Sequence, residues 1–508
     1  MDKVPRQCDV ILEDEMRNYL IGIEHDRILL SELKDYCENH TRYILALSGL
    51  RRTGKTVLMM RQALNLIEAG KNVVYFQITE IDTQQSLFLG VESAVKNGAE
   101  YIFIDEVTYV DGFARWADWI YCKTILKGVY CIISGTDSYG LVLASYNKLY
   151  DRLQFVKVTY MSYSEFKYIT GKTLYEYLHT GGVFGKINVD SYIKTSVVGN
   201  IVDSINRYDE FMRSPLVEME DNELSTAIIK TISQVVIRFI LRRLTRPYNY
   251  PDMRSAKQQI LYHDNDFIIE HEKEIEESIY KKFGLQEDLS RFSNNKIEEF
   301  IEFIKFVFIE IDVVTPYDCV FSNSSIKGTK KYTDYILTQP KLRFDQTSVY
   351  LEIIEQLEGR RILYEHVIQD MEGQLLEVSI ITSVIRNLLG KCIGRSDKMY
   401  DIFKFIHDNH EFDMVVLSLE RCSLSLFEIK RSNSINEYQR VSLLNTDAID
   451  AVKNESLYRN IGRISKINTV NRYVLYMGEP TEVEGIKYIN IEDFLLNDSI
   501  SNELLSSV

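Results

Sequence analysis

Proline is scarce in this sequence, with 7 residues in 508, and glycine contributes only 24. Collagen-like and linker-dominated chains need far more of both, so those classes are excluded. Cysteine is sparse and scattered: Cys8, Cys37, Cys122, Cys131, Cys319, Cys392 and Cys422 form no C-x-x-C pair. That argues against a disulfide framework and a cysteine-rich zinc site, and it fits a reducing cytoplasm. No run approaches the about 20 apolar residues of a membrane span. The first residues, MDKVPRQCDVILEDE, lack the basic start and apolar stretch of a signal peptide. The eight histidines are dispersed; His407 and His410 sit beside Asp413 but read as a solvated polar turn, and no Ser-His-Asp arrangement stands out. Positive charge is in deficit, with a net charge of -15. A nucleic-acid coat over the whole surface is excluded, and any such contact must come from a local basic patch.

What is present is a globular balance: 45% hydrophobic and 26% charged residues. The length predicts about two to four domains. Short apolar runs at 43–48 (YILALS), 73–78 (VVYFQI), 101–104 (YIFI) and 129–134 (VYCIIS) alternate with helical or turn segments. Strands alternating with helices predict a parallel sheet covered on both faces. The pattern fades near residue 170, and Gly181–Gly182 reads as a boundary loop. From 188 to about 310 the periodicity is mostly helical. Strand signals return past 410 as MVVLSL, LSLFEIK and RYVLYM, predicting a second α/β unit.

Gly49-Leu50-Arg51-Arg52-Thr53-Gly54-Lys55-Thr56 reads G-x4-G-K-T between a predicted strand and a predicted helix that continues with Val57. Glycines let the backbone curl so that N–H groups point at phosphate oxygens. The helix start adds its positive dipole end. Lys55 is placed to reach the β- and γ-phosphates, and Thr56 to ligate Mg²⁺. The strand 101–104 ends in Asp105-Glu106. There Asp105 would hold Mg²⁺ and Glu106 would polarise the attacking water as general base. The next strand ends in Ser134-Gly135-Thr136, where Ser134 or Thr136 would bond the water or the γ-phosphate. Arg152 is a candidate arginine finger toward a neighbouring subunit, with an exposed helix-end arginine as the alternative.

A second constellation lies near the C-terminus. Asp413 and the run Glu428-Ile429-Lys430 give D-x14-E-x-K on consecutive strand-like runs. In a hairpin Asp413 and Glu428 would converge, and Glu428 and Lys430 would share a face. Two carboxylates suit Mg²⁺ or Mn²⁺, and the lysine would orient a hydrolytic water. Glu377, on the helical stretch 374–387, is a third candidate carboxylate. The alternative is cross-strand ion pairing on a solvated hairpin.

These motifs together resemble the bacterial and archaeal AAA-type ATPases of the P-loop superfamily that carry a C-terminal restriction-endonuclease-like domain, of the PD-(D/E)xK type and of uncharacterised role. The resemblance rests on LSGLRRTGKTVLM (47–59), YIFIDEVTYVDGFARW (101–116), IISGTDS (132–138), EFDMVVL (411–417) and FEIKRS (427–432), among others. It implies an ATPase domain at 1–170, a helical lid and winged-helix region at 171–345, and a nuclease-like α/β domain at 346–508. It further implies ATP and Mg²⁺ at the loop 49–57, and a second divalent metal held by Glu377, Asp413 and Glu428. The family commonly has glycine ahead of the arginine matched by Arg152; here it is Asp151. The basic stretch 224–263, with Arg238, Arg242 and Arg246 on one helical stripe, offers a DNA-facing surface. Two readings follow. One is an ATPase, homo-oligomeric if Arg152 acts in trans, that gates DNA binding or metal-dependent DNA cleavage. The other is an ATP-dependent switch or DNA-binding regulator whose nuclease-like domain serves interaction only.

Overall fold

The computed structural model describes most of residues 8–180, then most of 314–338, 361–389 and 399–496. Two sheets organise these residues. In chain order the first unit holds α1 (Glu13–Tyr19), α2 (Leu30–Glu38), β1 (Ile44–Ser48), α3 (Lys55–Glu68), β2 (Val73–Gln77), α4 (Gln84–Lys96), β3 (Tyr101–Asp105), α5 (Phe113–Lys123), β4 (Tyr130–Gly135) and β5 (Leu153–Lys157).

Its five strands are all parallel, in the order β2-β3-β4-β1-β5. Both faces are covered, which explains why the strands read as continuous apolar runs rather than alternating ones. On β1, Ile44 and Ala46 enter one core with Phe76, Ile102 and Ile133, while Leu45 and Leu47 enter the other with Leu58, Met59 and Phe103. The four expected strands are present. The fifth, β5, is an edge strand of mixed burial, and its sequence Leu153–Lys157 carries no comparable apolar run.

Two further helices follow, α6 (Tyr163–Thr170) and α7 (Leu174–Thr180). Ser162 caps α6 by accepting from the Glu165 N–H, and Gly171 ends it in the left-handed conformation. These helices do not complete the first core. Tyr163, Phe166, Leu174, Tyr177 and Leu178 pack in one cluster with Leu376, Val384, Phe427, Tyr473 and Phe494 of the C-terminal unit.

That unit contains β6 (Val314–Asn323), β7 (Ile326–Leu337), α8 (Arg361–Leu389), β8 (Tyr400–His407), β9 (His410–Ser418), β10 (Ser423–Ile429), α9 (Val441–Leu444), α10 (Thr446–Arg459), β11 (Thr469–Tyr476), β12 (Thr481–Val483), β13 (Ile486–Asn490) and α11 (Ile491–Leu496). Its sheet has eight strands, in the order β12-β13-β11-β10-β9-β8-β6-β7. Strands β8, β9 and β10 form an antiparallel meander, and β11 returns parallel to β10. One face packs against α6, α7, α8 and α11, and the other against α9 and α10 through Leu443, Ala448 and Val452.

The hairpin β6–β7 lies ahead of 346, within the region read as lid and winged helix, yet it forms one edge of the C-terminal sheet. Helix α6 lies ahead of 170 yet packs into the C-terminal core. Most of the region read as lid and winged helix, including the basic stretch 224–263, lies outside the described residues.

One buried ion pair anchors α6 to the first unit. The Arg27 guanidinium donates to both Glu165 oxygens, at 2.9 and 2.7 Å, and to the carbonyls of Thr53 (2.5 Å) and Thr159 (2.9 Å). The Ile28 N–H also donates to Glu165, at 2.9 Å. Both side chains are almost fully buried, at 2% and 5% exposure. Breaking such a pair leaves the other charge uncompensated. Arg27→Met is therefore expected to lower stability by about 3–5 kcal/mol in denaturant titration, and Glu165→Gln, which keeps an acceptor, by less.

Candidate functional site

The loop between β1 and α3 sits at the C-terminal end of the first sheet, beside the ends of β3 and β4. Such sheet edges are where open α/β folds bind ligands. Two glycines make the loop possible. Gly49 has φ 149, and a Cβ there would lie 2.2 Å from the Val158 carbonyl oxygen. Gly54, with φ 92, sits ahead of the first turn of α3. Arg52 also takes a left-handed conformation, with φ 64. Left-handed residues placed ahead of a helix start favour a turn whose N–H groups can face an anion.

Lys55 is buried, and its ammonium donates to the Gly49 carbonyl at 2.7 Å inside the loop. Thr53 is buried, and its carbonyl is the group held by Arg27. Val57 packs at the margin of the core beneath the loop. Leu50 and Arg51 lie outside the described residues.

Asp105 is the centre of a buried polar network. Thr56, Ser134 and Tyr75 all hydrogen-bond its carboxylate, Tyr75 from 3.0 Å. Burial, with the Glu106 charge beside it, pushes Asp105 above the usual carboxylate range, and the three hydroxyls oppose that rise. Tyr75 is held well above the usual phenol range by burial and by Asp105. The Thr56–Asp105 contact joins the loop to the end of β3, which is the geometry needed to share one Mg²⁺ shell. Glu106 follows with φ 60, and its N–H donates to Ser134 at 3.1 Å. This unusual backbone turns Glu106 away from the strand direction and fixes it at the edge of the site. Ser134 thus braces both acidic positions. Thr136 lies outside the described residues. Tyr75 was missed by sequence reasoning, because a tyrosine within an apolar run reads as core.

Arg152 sits at the far end of the sheet. Its carbonyl accepts from Ile44 at the start of β1, and its guanidinium lies 5.0 Å from the Tyr121 ring centre. Ser48, at the loop end of β1, pairs with Lys157, five residues further along. Arg152 therefore cannot reach its own loop. Asp151, where the resembling family has glycine, takes a left-handed conformation, with φ 56.

The C-terminal constellation also assembles, with additions. In the β8–β9 pairing Phe403 faces Val415 and Phe405 faces Phe412, so Lys404 alone opposes Asp413 and Met414. This bulge re-aims Asp413 out of strict alternation. Asp413 Oδ2 accepts from the Ile429 N–H at 2.8 Å and from Lys430 at 3.4 Å. Lys430 pairs with Glu428 at 2.6 Å. Lys404 pairs with Glu377 at 2.9 Å and Glu411 at 2.6 Å, and lies 3.7 Å from Asp413. Burial works to raise Asp413, but the Lys430 and Lys404 charges outweigh it and hold the carboxyl below its usual range. Glu428 is pushed up to about 8, chiefly by burial. Burial would lower Lys430; Asp413 and Glu428 reverse that and raise it.

Asp413, Glu428 and Lys430 converge as the hairpin predicts, and Glu377 joins them through Lys404. Among the described residues no group of three or more His, Cys, Asp or Glu is arranged to hold a metal ion. Lys404 and Glu411 were missed, although a lone lysine in the apolar run YDIFKFIH was the available signal. No helix among the described residues is long and apolar enough to cross a membrane.

Two substitutions test the loop as the expected nucleotide site. Lys55→Ala is expected to abolish binding of a fluorescent ATP analogue while leaving thermal unfolding unchanged. Glu106→Gln is expected to retain that binding and to lower phosphate release by about 10²–10⁴-fold, the range of a lost general base.

Residues 41–167 match the AAA domain family. An uncharacterised protein of Haemophilus influenzae is 24% identical over 209 residues, 37% of this chain and 50% of that protein, so the match spans half the relative's length. Among solved structures, a DNA replication initiation factor aligns over 58% of this chain and 97% of its own, at 16% identity and TM-score 0.24. AMPPCP-bound DnaA from Aquifex aeolicus aligns over 71% and 96%, at 15% identity and TM-score 0.23. At those scores the fold rests on this chain's own strand order and loop geometry. The family match over residues 41–167 and the strand order with its glycine-shaped loop agree on a P-loop fold similar to the AAA domain.

Proposed function

We propose that this protein binds and hydrolyses ATP with Mg²⁺ and passes its nucleotide state to the C-terminal unit. The observation that carries the first part is the contact between Thr56 and Asp105 at the mouth of a glycine-shaped loop. The loop N–H groups and Lys55 bind and orient the triphosphate. Thr56 would hold Mg²⁺ directly, with Asp105 behind it, and the ion when bound neutralises charge between the β- and γ-phosphates. Glu106 takes the proton of the attacking water, and Ser134 keeps Glu106 and Asp105 in register. If a second copy of the chain assembles alongside, Arg152 is free of its own loop to serve the neighbour's nucleotide.

Support for the second part is the route from loop to C-terminal core. Arg27 touches the Thr53 carbonyl and Glu165, and α6 then meets Glu492 through Lys167 (2.7 Å) and Tyr163. Arg386 of α8 stacks 3.8 Å from the Tyr160 ring centre and donates to the Tyr160 carbonyl at 3.3 Å.

A second reading, metal-dependent DNA cleavage, draws on the order of α8, the β8–β9–β10 meander, α10 and parallel β11, and on the convergence of Asp413, Glu428 and Lys430.

Phosphate release by the purified protein tests the primary reading. Turnover is expected to need Mg²⁺, to stop on chelation, and to fall at least about 10²-fold in Thr56→Ala. Turnover unchanged in Thr56→Ala would refute it.

A further inference from the structure

We infer that Lys404 is a built-in cation that takes the place of a divalent metal in the C-terminal carboxylate cluster. The inference rests on the nuclease-like reading of that domain, and it predicts that the carboxylate cluster takes up no divalent ion. Lys404 lies mid-strand on β8, between Phe403 and Phe405, which belong to the core on the α9–α10 face. Strand alternation sends Lys404 to the opposite face, toward α8 and Glu377. Its side chain is 7% exposed, so the ammonium cannot escape to water by a simple rotation.

Lys404 and Lys430 between them occupy the carboxylates that would bind a metal. Its Nζ lies 2.6 Å from Glu411, 2.9 Å from Glu377 and 3.7 Å from Asp413 Oδ1. The other Asp413 oxygen is taken by the Ile429 N–H and by Lys430, which also pairs with Glu428. Mg²⁺ or Mn²⁺ needs several of these oxygens at about 2.1 Å around one point, and that point lies against Nζ. A divalent ion at that point would have to displace the Lys404 ammonium from Glu377 and Glu411 or lie beside it, and the like charges repel. The bulge that places Asp413 opposite Lys404 makes the arrangement a property of the backbone rather than of one rotamer.

The test uses the full chain without nucleotide and Mn²⁺ alone as probe, followed by calorimetry. Asp413→Asn in each background identifies binding at this cluster. Wild type is expected to show no Asp413-dependent Mn²⁺ binding. Lys404→Met, which keeps the apolar stem and removes the charge, leaves four carboxylates facing Lys430 and is expected to gain one Asp413-dependent site, roughly tenfold or more above background. Lys404→Gln is the second variant if the methionine form does not fold.

Asp413-dependent Mn²⁺ binding by wild type would overturn the inference, as would a folded Lys404 variant that gains no site. Failure of the nuclease-like reading looks different: Lys404→Met would gain an Mn²⁺ site that Asp413→Asn does not remove. Mg²⁺-dependent DNA cleavage by wild type that Asp413→Asn abolishes would sustain the nuclease reading and overturn this inference.

Discussion

One guanidinium joins the two halves of this molecule. Arg27 spends four hydrogen bonds on three groups: the loop carbonyl of Thr53, the carbonyl of Thr159 after β5, and the carboxylate of Glu165 on α6. A buried arginine is stable only when its donors are met, and here every partner belongs to a different structural piece. The consequence is mechanical. The P-loop cannot change shape at Thr53 without altering the seat of α6, and α6 is part of the C-terminal core. Sterics reinforce the link, because Gly49 packs so closely on the Val158 carbonyl that no side chain fits between loop and β5.

The two polar centres solve the same problem in different ways. Asp105 is buried among hydroxyls of Thr56, Ser134 and Tyr75, which soften the cost of its charge without neutralising it. Such a site still attracts a cation. Asp413 is buried between two ammonium groups, which hold it charged and leave little demand for another cation. The first arrangement suits a nucleotide-bound Mg²⁺ that comes and goes. The second suits a permanent structural cluster, satisfied from within the chain.

Much of the first unit was legible in the sequence. Strands buried on both faces must be apolar throughout, and the G-x4-G-K-T spacing is dictated by the turn it makes, so β1 to β4 and the loop could be read directly. The edge strand β5 could not, because a half-exposed edge needs no apolar run. Arg27 gave no signal, since burial of an arginine depends on partners 26 and 138 residues away. At the C-terminus the D-x14-E-x-K spacing foretold the hairpin and the meeting of Asp413, Glu428 and Lys430. It could not foretell the bulge at Asp413, which is a property of strand pairing, nor therefore the role of Lys404. The β6–β7 hairpin, placed in the lid region by its position in the chain, joins the C-terminal sheet through parallel pairing with β8.

Hydrogen exchange with and without a non-hydrolysable ATP analogue would test the central claim, that nucleotide at the P-loop is felt in the C-terminal unit through Arg27 and α6. The account predicts that the analogue changes protection in α6 and in α11, which carries Glu492, and that Glu165→Ala confines the change to the first unit while nucleotide still binds. Protection changes in α11 that persist in Glu165→Ala, or their absence in the wild-type protein with nucleotide bound, would contradict it.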